Sequence, residues 1–279
     1  MEKTVVGSGG IDFGAGEPVC RDAVARPVAT NSTTPWLERQ KYYWDAVAPT
    51  YDLQYSTEWS AAENVIVARR LSTLLPEGPA PKVLDLGCGT GLGYGMLTEL
   101  RPDMEYIGVD ASAGMLDIFR SKFADDIQLL NEPVEGLLAD RFHGIDLVIA
   151  TFTSASYIDL RLRELLARVA SWMKPSGCIY LSFLNRLSIG SMGALGFGRV
   201  IDYSSRGFTS GTVPAKRYTS RELIETCAGL GLSARTVSLG PFAGVFESKF
   251  FIRTNALLAN YGGFGHTVDL MITGKAAAK

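Results

Sequence analysis

Two histidines and four cysteines are all that the 279 residues contain. The cysteines, Cys20, Cys88, Cys178 and Cys227, lie far apart with no CxxC pair. That spacing argues against a disulfide framework or a zinc site and makes a reducing cytoplasm the expected compartment. His143 and His266 are too few and too distant to seed a metal cluster, so no metal centre is expected. Charge of one sign is also missing: 27 Lys+Arg stand against 29 Asp+Glu, a formal net charge of −2. A chain so balanced has no global field to hold a nucleic-acid backbone. No apolar run approaches the ~18 residues of a membrane-spanning helix, and MEKTVVGSGGIDFG lacks the apolar centre of a secretory signal. Neither a nucleic acid nor a membrane is an expected partner.

Apolar residues make up 47% of the chain, enough for a sizeable core, and glycine is in excess at 30 residues. Residues 1–33 show no sustained period and read as a flexible N-terminal arm. Thr34-Pro35 opens a helix with Thr as cap, and the aromatic group Trp36, Tyr42, Tyr43 and Trp44 follows, ending near Ala48-Pro49. Ser60 and Glu63 read as a capping box ahead of Val67, Leu71 and Leu74 at helical spacing. From residue 81 short apolar strands alternate with helices. The strands are Lys82–Leu86, Tyr106–Val109, Ile127–Leu130, Ile145–Thr151 and, after the turn Pro175-Ser176-Gly177, Cys178–Leu184. That alternation predicts a doubly wound parallel α/β sheet, Rossmann-like in architecture. Segment 185–217 breaks it with six glycines and, together with 240–262, is expected to form lids over one domain spanning 34–279. Thr219 and Glu222 form a second capping box, and Ala234–Leu239 and Val268–Thr273 read as the final strands. The Phe-rich stretch 242–251 is a candidate homodimer interface.

The informative unit is Val83-Leu84-Asp85-Leu86-Gly87-Cys88-Gly89-Thr90-Gly91. A buried strand runs into glycines at every second position and then a helix, so backbone can approach a ligand at the carboxyl ends of the strands. The dinucleotide pattern GxGxxG does not close from any starting glycine, because Leu92, Tyr94 and Met96 occupy the third positions. Asp85 beside the turn also disfavours a pyrophosphate; a ligand with an ammonium fits better. The second strand ends in Asp110, 19 residues past Gly91, where a carboxylate can accept both hydroxyls of an adenosine ribose.

With these residues the chain resembles the class I S-adenosylmethionine-dependent methyltransferases, over roughly residues 36–184 and 218–274. VLDLGCGTG is close to that family's signature. The resemblance implies a seven-stranded sheet with an antiparallel last strand and S-adenosylmethionine as cofactor. It implies that Asp85, Gly87, Gly89 and Gly91 surround the amino-acid part of the cofactor, with Cys88 a small residue that fits the turn. It puts Asp110 on the ribose, Met115 near the adenine, and Asn131 and Glu132 at the position that often receives the adenine amino group. Thr151 and Phe152 fall where family members meet the sulfonium. Tyr51-Asp52, Tyr157-Ile158-Asp159 and Lys174-Pro175-Ser176-Gly177 fit further family patterns, with Ser176 in place of the usual Gly.

A sulfonium is already a good leaving group, so a protein of this type mainly aligns a nucleophile with a C–S bond. Tyr51, Phe152 and Tyr157 are the candidates for that work, and Tyr42, Tyr43 and Trp44 are further aromatic faces for a cation. Neither histidine is an obvious base. His143 precedes a strand start facing away from the ligand edge, whereas His266, ahead of an antiparallel strand, could lie nearer to it. The leading expectation is in-line methyl transfer to a small-molecule or natural-product acceptor, as in secondary metabolism. A second keeps the cofactor but cyclises it to azetidine-2-carboxylate, releasing methylthioadenosine. A third is a regulatory protein that binds the cofactor without catalysis. Protein and nucleic-acid acceptors rank low, because Thr151-Phe152-Thr153-Ser154 stands where an NPPY-like motif would follow the fourth strand.

Overall fold

A computed structural model of the chain describes residues 35–123, 126–188, 198–204, 211–240, 254 and 265–274. Helix α1 (Trp36–Gln54) and helix α2 (Glu58–Ser72) precede a β/α series: β1 (Lys82–Leu86), α3 (Leu92–Leu100), β2 (Glu105–Val109), α4 (Ala113–Lys122), β3 (Gln128–Leu130), β4 (Ile145–Ala150), α5 (Leu162–Trp172) and β5 (Met173–Asn185). Strands β6 (Val200–Tyr203) and β7 (Val213–Tyr218), helix α6 (Ser220–Ala228), and strands β8 (Ala234–Val237) and β9 (Thr267–Thr273) follow.

Strands β3, β2, β1, β4 and β5 lie side by side and parallel. Both faces of a parallel sheet are covered by helices, which is why β1 and β4 read as unbroken apolar runs. Strand β9 then joins β5 antiparallel, from Cys178↔Thr273 to Leu184↔Thr267, and β8 pairs with the far side of β9. The seven-stranded core with an antiparallel last strand is therefore present. Alternation along the strands sorts side chains between two layers. Leu84, Leu86, Val109 and Val148 pack with Leu165, Leu166, Val169 and Trp172 of α5 and with Leu223 of α6. Val83, Leu147, Ile149 and Tyr180 face Val67 and Leu71 of α2, Leu97 of α3, and Leu116 and Phe119 of α4.

Several local expectations change. Helix α1 begins at Trp36 with Pro35 outside it, and it runs through Pro49 to Gln54. A proline inside a helix removes one i→i−4 bond. Here the turn beyond it is held by packing, with the Tyr51 ring edge-on to Trp44. The cap of α2 is Thr57, whose side chain accepts from Ser60 N, so Ser60 is not the cap and Glu63 is not its partner. The turn expected at Pro175-Ser176-Gly177 is absorbed into β5 by a register shift against β4. Segment 185–217 is not all lid: β6 and β7 form an antiparallel hairpin, and β7 pairs with β5 at Leu184↔Arg217. The rest of that lid (189–197 and 205–210), most of 240–262, the arm 1–33 and the 242–251 dimer stretch lie outside the described residues. The Thr219/Glu222 capping box is formed as expected.

Two sets of bonds fix the N-terminal helices over the carboxyl edge of the sheet. On α1, Gln40 Nε2 donates to Pro214 O at 2.6 Å, Trp36 Nε1 donates to Tyr157 O at 2.8 Å, and Arg39 pairs with Asp202. Asp45 Oδ1 accepts from Ser112 Oγ and Gly114 N, and Asp52 Oδ1 accepts from Thr90 Oγ1. On α2, the buried Arg70 Nη1 meets Asp269 Oδ2 of β9 at 2.5 Å, and its Nη2 donates to Ser238 O. Asp269 is further held by the hydroxyls of Tyr180 and Ser182, so this buried charge is compensated. Among the described residues no helix is long and apolar enough to cross a membrane, and no group of three metal-ligating side chains occurs.

Candidate active site

The turn after β1 carries positive φ at Gly87, Gly89 and Gly91. Gly91 heads α3 at φ +89°, and a Cβ there would sit 2.7 Å from the Phe119 and Phe123 rings. Its need for glycine thus comes from strain and from the helix behind it. Gly93, the second residue of α3, leaves room for a carboxylate: a Cβ would lie 2.6 Å from Asp85 Oδ2. Asp85 is accordingly tucked beneath the turn, where Oδ2 accepts from the Tyr106 hydroxyl at 2.6 Å and buried Oδ1 has no hydrogen-bond partner. Burial pushes its pKa up to about 7 against the lowering effect of the Tyr106 bond. Asp110, at the end of β2, accepts from Gly89 N and from Ser112 N, both at 2.8 Å. Burial raises it to about 6, although both amides favour the charged form.

A cavity of about 230 Å³ opens at this edge. Gly87, Gly89, Asp110, Ala111, Met115 and Val134 line it. So does a chamber of rings, in one cluster with Met115. Trp44 stands 5.0 Å from Tyr157 and 6.2 Å from Tyr51, Tyr51 is 4.7 Å from Tyr55, and Tyr157 is 6.0 Å from Tyr203. Burial raises the phenols of Tyr51, Tyr55 and Tyr157 above their ordinary range, so these rings are uncharged at neutral pH. Phe152 and Thr153 line the wall as well, both with positive φ (+47° and +66°). Such backbone costs of order 1–3 kcal/mol per residue and concentrates at functional sites.

The sequence-derived candidates divide accordingly. Tyr51, Gly87, Gly89, Asp110, Met115, Phe152 and Tyr157 all line the cavity. Asp85, Cys88, Gly91, Asn131, Glu132 and Thr151 are not in its lining. Asp85 and Gly91 shape the turn from behind. Cys88 is buried, and desolvation raises its thiol well above the usual range, which suits a packing residue and not a nucleophile. Asn131 donates to Asp110 O at 3.0 Å from an exposed position, and Glu132 pairs with Arg141 at the surface. Val134 and Glu135, a few residues later, take the cavity wall instead. Thr151 O accepts from Ser154 N and starts the turn that presents Phe152. Of the other aromatic candidates, Tyr42 is exposed and Tyr43 is buried in the α1 core; only Trp44 reaches the cavity.

The sequence missed a polar corner. Ser60, Glu63 and Asn64 share one face of α2 and line the chamber with His266 and Thr267. His266 Nε2 lies 3.2 Å from Glu63 Oε1, and its Nδ1 lies 3.3 Å from Gly240 O. His266 lines the cavity, the position its place ahead of an antiparallel strand allowed: the direction of β9 brings its start to the ligand edge. His143 is exposed before β4, as anticipated. Reading Ser60 and Glu63 as a cap hid this corner; Thr57 three residues earlier was the competing cap signal.

Residues 83–177 match a family described as a methyltransferase domain. A trans-aconitate 2-methyltransferase of Deinococcus radiodurans is 47% identical over 49 residues, covering 18% of this chain and 19% of the relative. A malonyl-[acyl-carrier protein] O-methyltransferase of Priestia megaterium is 27% identical over 136 residues, 48% of this chain and 47% of the relative. The chain thus spans less than half the length of these two curated relatives. Among solved structures, the DhpI–SAM–HEP complex superposes with a TM-score of 0.59 at 17% identity, over 87% of this chain and 99% of that one. At that identity the likeness is one of fold.

Proposed function

We propose that this chain, whose residues 83–177 match a methyltransferase domain, is a class I S-adenosylmethionine-dependent enzyme that transfers a methyl group from S-adenosylmethionine to a small-molecule acceptor held in the aromatic chamber. One observation carries the reading: a single cavity runs from the Gly87–Gly89 turn and Asp110 into a chamber walled by Trp44, Tyr51, Phe152 and Tyr157. The residues present suit the cofactor. Asp110 keeps lone pairs beyond the two amide bonds it accepts, enough for ribose hydroxyls, and Met115, Ala111 and Val134 give an apolar wall for a base. The unpartnered Asp85 Oδ1 beneath the turn adds negative potential suited to an ammonium.

Bound S-adenosylmethionine supplies a methyl group already activated on a sulfonium. The protein's share is then alignment and exclusion of water. Orienting two reactants is worth ~7–11 kcal/mol of barrier, and each aromatic face turned to a cation adds ~0.5–2 kcal/mol. Tyr51, Phe152 and Tyr157 fill that role in this proposal. Incubating the purified chain with S-adenosylmethionine alone and with pooled small acceptors, then identifying the nucleoside by mass, tests it. S-adenosylhomocysteine that appears only with an acceptor is the expected result. Methylthioadenosine formed without one would overturn methyl transfer in favour of cyclisation.

A further inference from the structure

The cavity lining is one-sided in charge. It includes Glu63, Asp110 and Glu135, and among the described residues it contains neither Lys nor Arg. A carboxylate acceptor would therefore meet three like charges, with His266 as its one ionisable donor of a positive charge. Glu63 Oε1 and His266 Nε2 face each other at 3.2 Å in a lining they share with the rings of Trp44, Tyr51, Tyr157 and Tyr203. A carboxylate and an imidazole nitrogen can both accept from one N–H cation, and aromatic faces attract the alkyl groups that carry its charge. Side chains from α1, α2, the turn after β4, β6 and the residue just before β9 supply these groups, so the chamber is assembled by the fold and not by one local motif.

We propose that the acceptor end of the cavity is an ammonium site: Trp44, Tyr51, Tyr157 and Tyr203 cage the cation, and Glu63 with His266 receives its N–H groups. The inference names the substrate class, an amine, and rests on the transferase reading only in calling that end the acceptor's.

Butylammonium, butanol and butyrate, one alkyl chain with three charges, are titrated by NMR against the full chain with and without saturating S-adenosylhomocysteine. The expected ranking is butylammonium tighter than butanol by about tenfold, with butyrate weakest. Glu63→Gln and, separately, Tyr203→Leu should each remove most of that preference while S-adenosylhomocysteine affinity stays within about twofold. Equal binding of butylammonium and butanol, or a preference for butyrate, would overturn the proposal; the wild-type ranking needs no variant to fold. Displacement of S-adenosylhomocysteine by butylammonium would overturn it too, by giving the cage to the cofactor's own ammonium. A chain that binds no S-adenosylhomocysteine would sink the transferase reading instead, and the probe ranking would still decide this one.

Discussion

The Gly87–Gly91 turn is set by backbone within one stretch of chain, whereas the chamber it opens into is set by side chains from separated elements. Trp44, Tyr51 and Tyr55 come from α1 and its end, Glu63 from α2, Phe152 and Tyr157 from the turn after β4, Tyr203 from β6 and His266 from just before β9. A turn of the first kind leaves its trace in adjacent letters. A chamber of the second kind exists only once long-range bonds such as Arg70–Asp269 and Gln40–Pro214 have closed. The turn should therefore fail by local strain and by loss of cofactor affinity. The chamber should fail through its anchors or through acceptor recognition alone.

The largest effect should come from an anchor. Asp269→Ala strands the Arg70 guanidinium in the core and should lower unfolding free energy by about 3–5 kcal/mol in urea titrations. A loss under about 1 kcal/mol would mean that the chamber does not depend on this bolt. Next, Gly91→Ala combines a strained φ with overlap of Phe119 and Phe123 and should cost about 2–4 kcal/mol by the same measurement. A substitution without cost there would erase the contrast between backbone-built and side-chain-built halves.

Asp110→Ala should weaken S-adenosylhomocysteine binding by roughly 10–100-fold in calorimetry, the loss of charge-assisted bonds. Unchanged affinity would remove Asp110 from the cofactor end. The most gradual effect is a pH slope. Asp85 and Asp110 are raised in the folded chain to about 7 and about 6 from the usual 3.8. Between about pH 4 and pH 7 the folded chain holds protons that the unfolded chain has released, so stability falls as pH rises through that window. Urea midpoints should decline across it, and Asp85→Asn should flatten the upper part. A slope that survives this change would have another source.

The same contrast decides what could be read in advance. Strand β1 falls on the expected residues, because a buried strand followed by Gly-x-Gly-x-Gly has few other solutions. The α6 capping box was legible for a similar reason: its two partners are three residues apart. At α2 the nearest-neighbour signal misled, since Thr57 and Ser60 both qualify as caps and only packing of Val67 and Leu71 sets the start. The aromatic group was expected to end near Pro49, yet α1 runs on past it and Tyr51 packs edge-on against Trp44. The hairpin of β6 and β7 was hidden among glycines that suggested a lid. The place of His266 near the ligand edge was legible from the antiparallel strand after it, whereas its partner Glu63 on α2 was not.

Strand β9 has one more consequence, in the order of synthesis. It fills the gap between β5 and β8, yet about 80 residues separate Leu184 from its partner Thr267. At ~5–20 residues per second, β5 waits roughly 4–16 s after it is made before that partner exists. For that interval the stretch Cys178–Leu184 is an apolar strand with a bare edge, open to pairing with whatever other chain is near. The strand that closes the middle of the sheet is thus made after every other described strand, and nascent chains of this protein should be most in need of a holding chaperone in that interval.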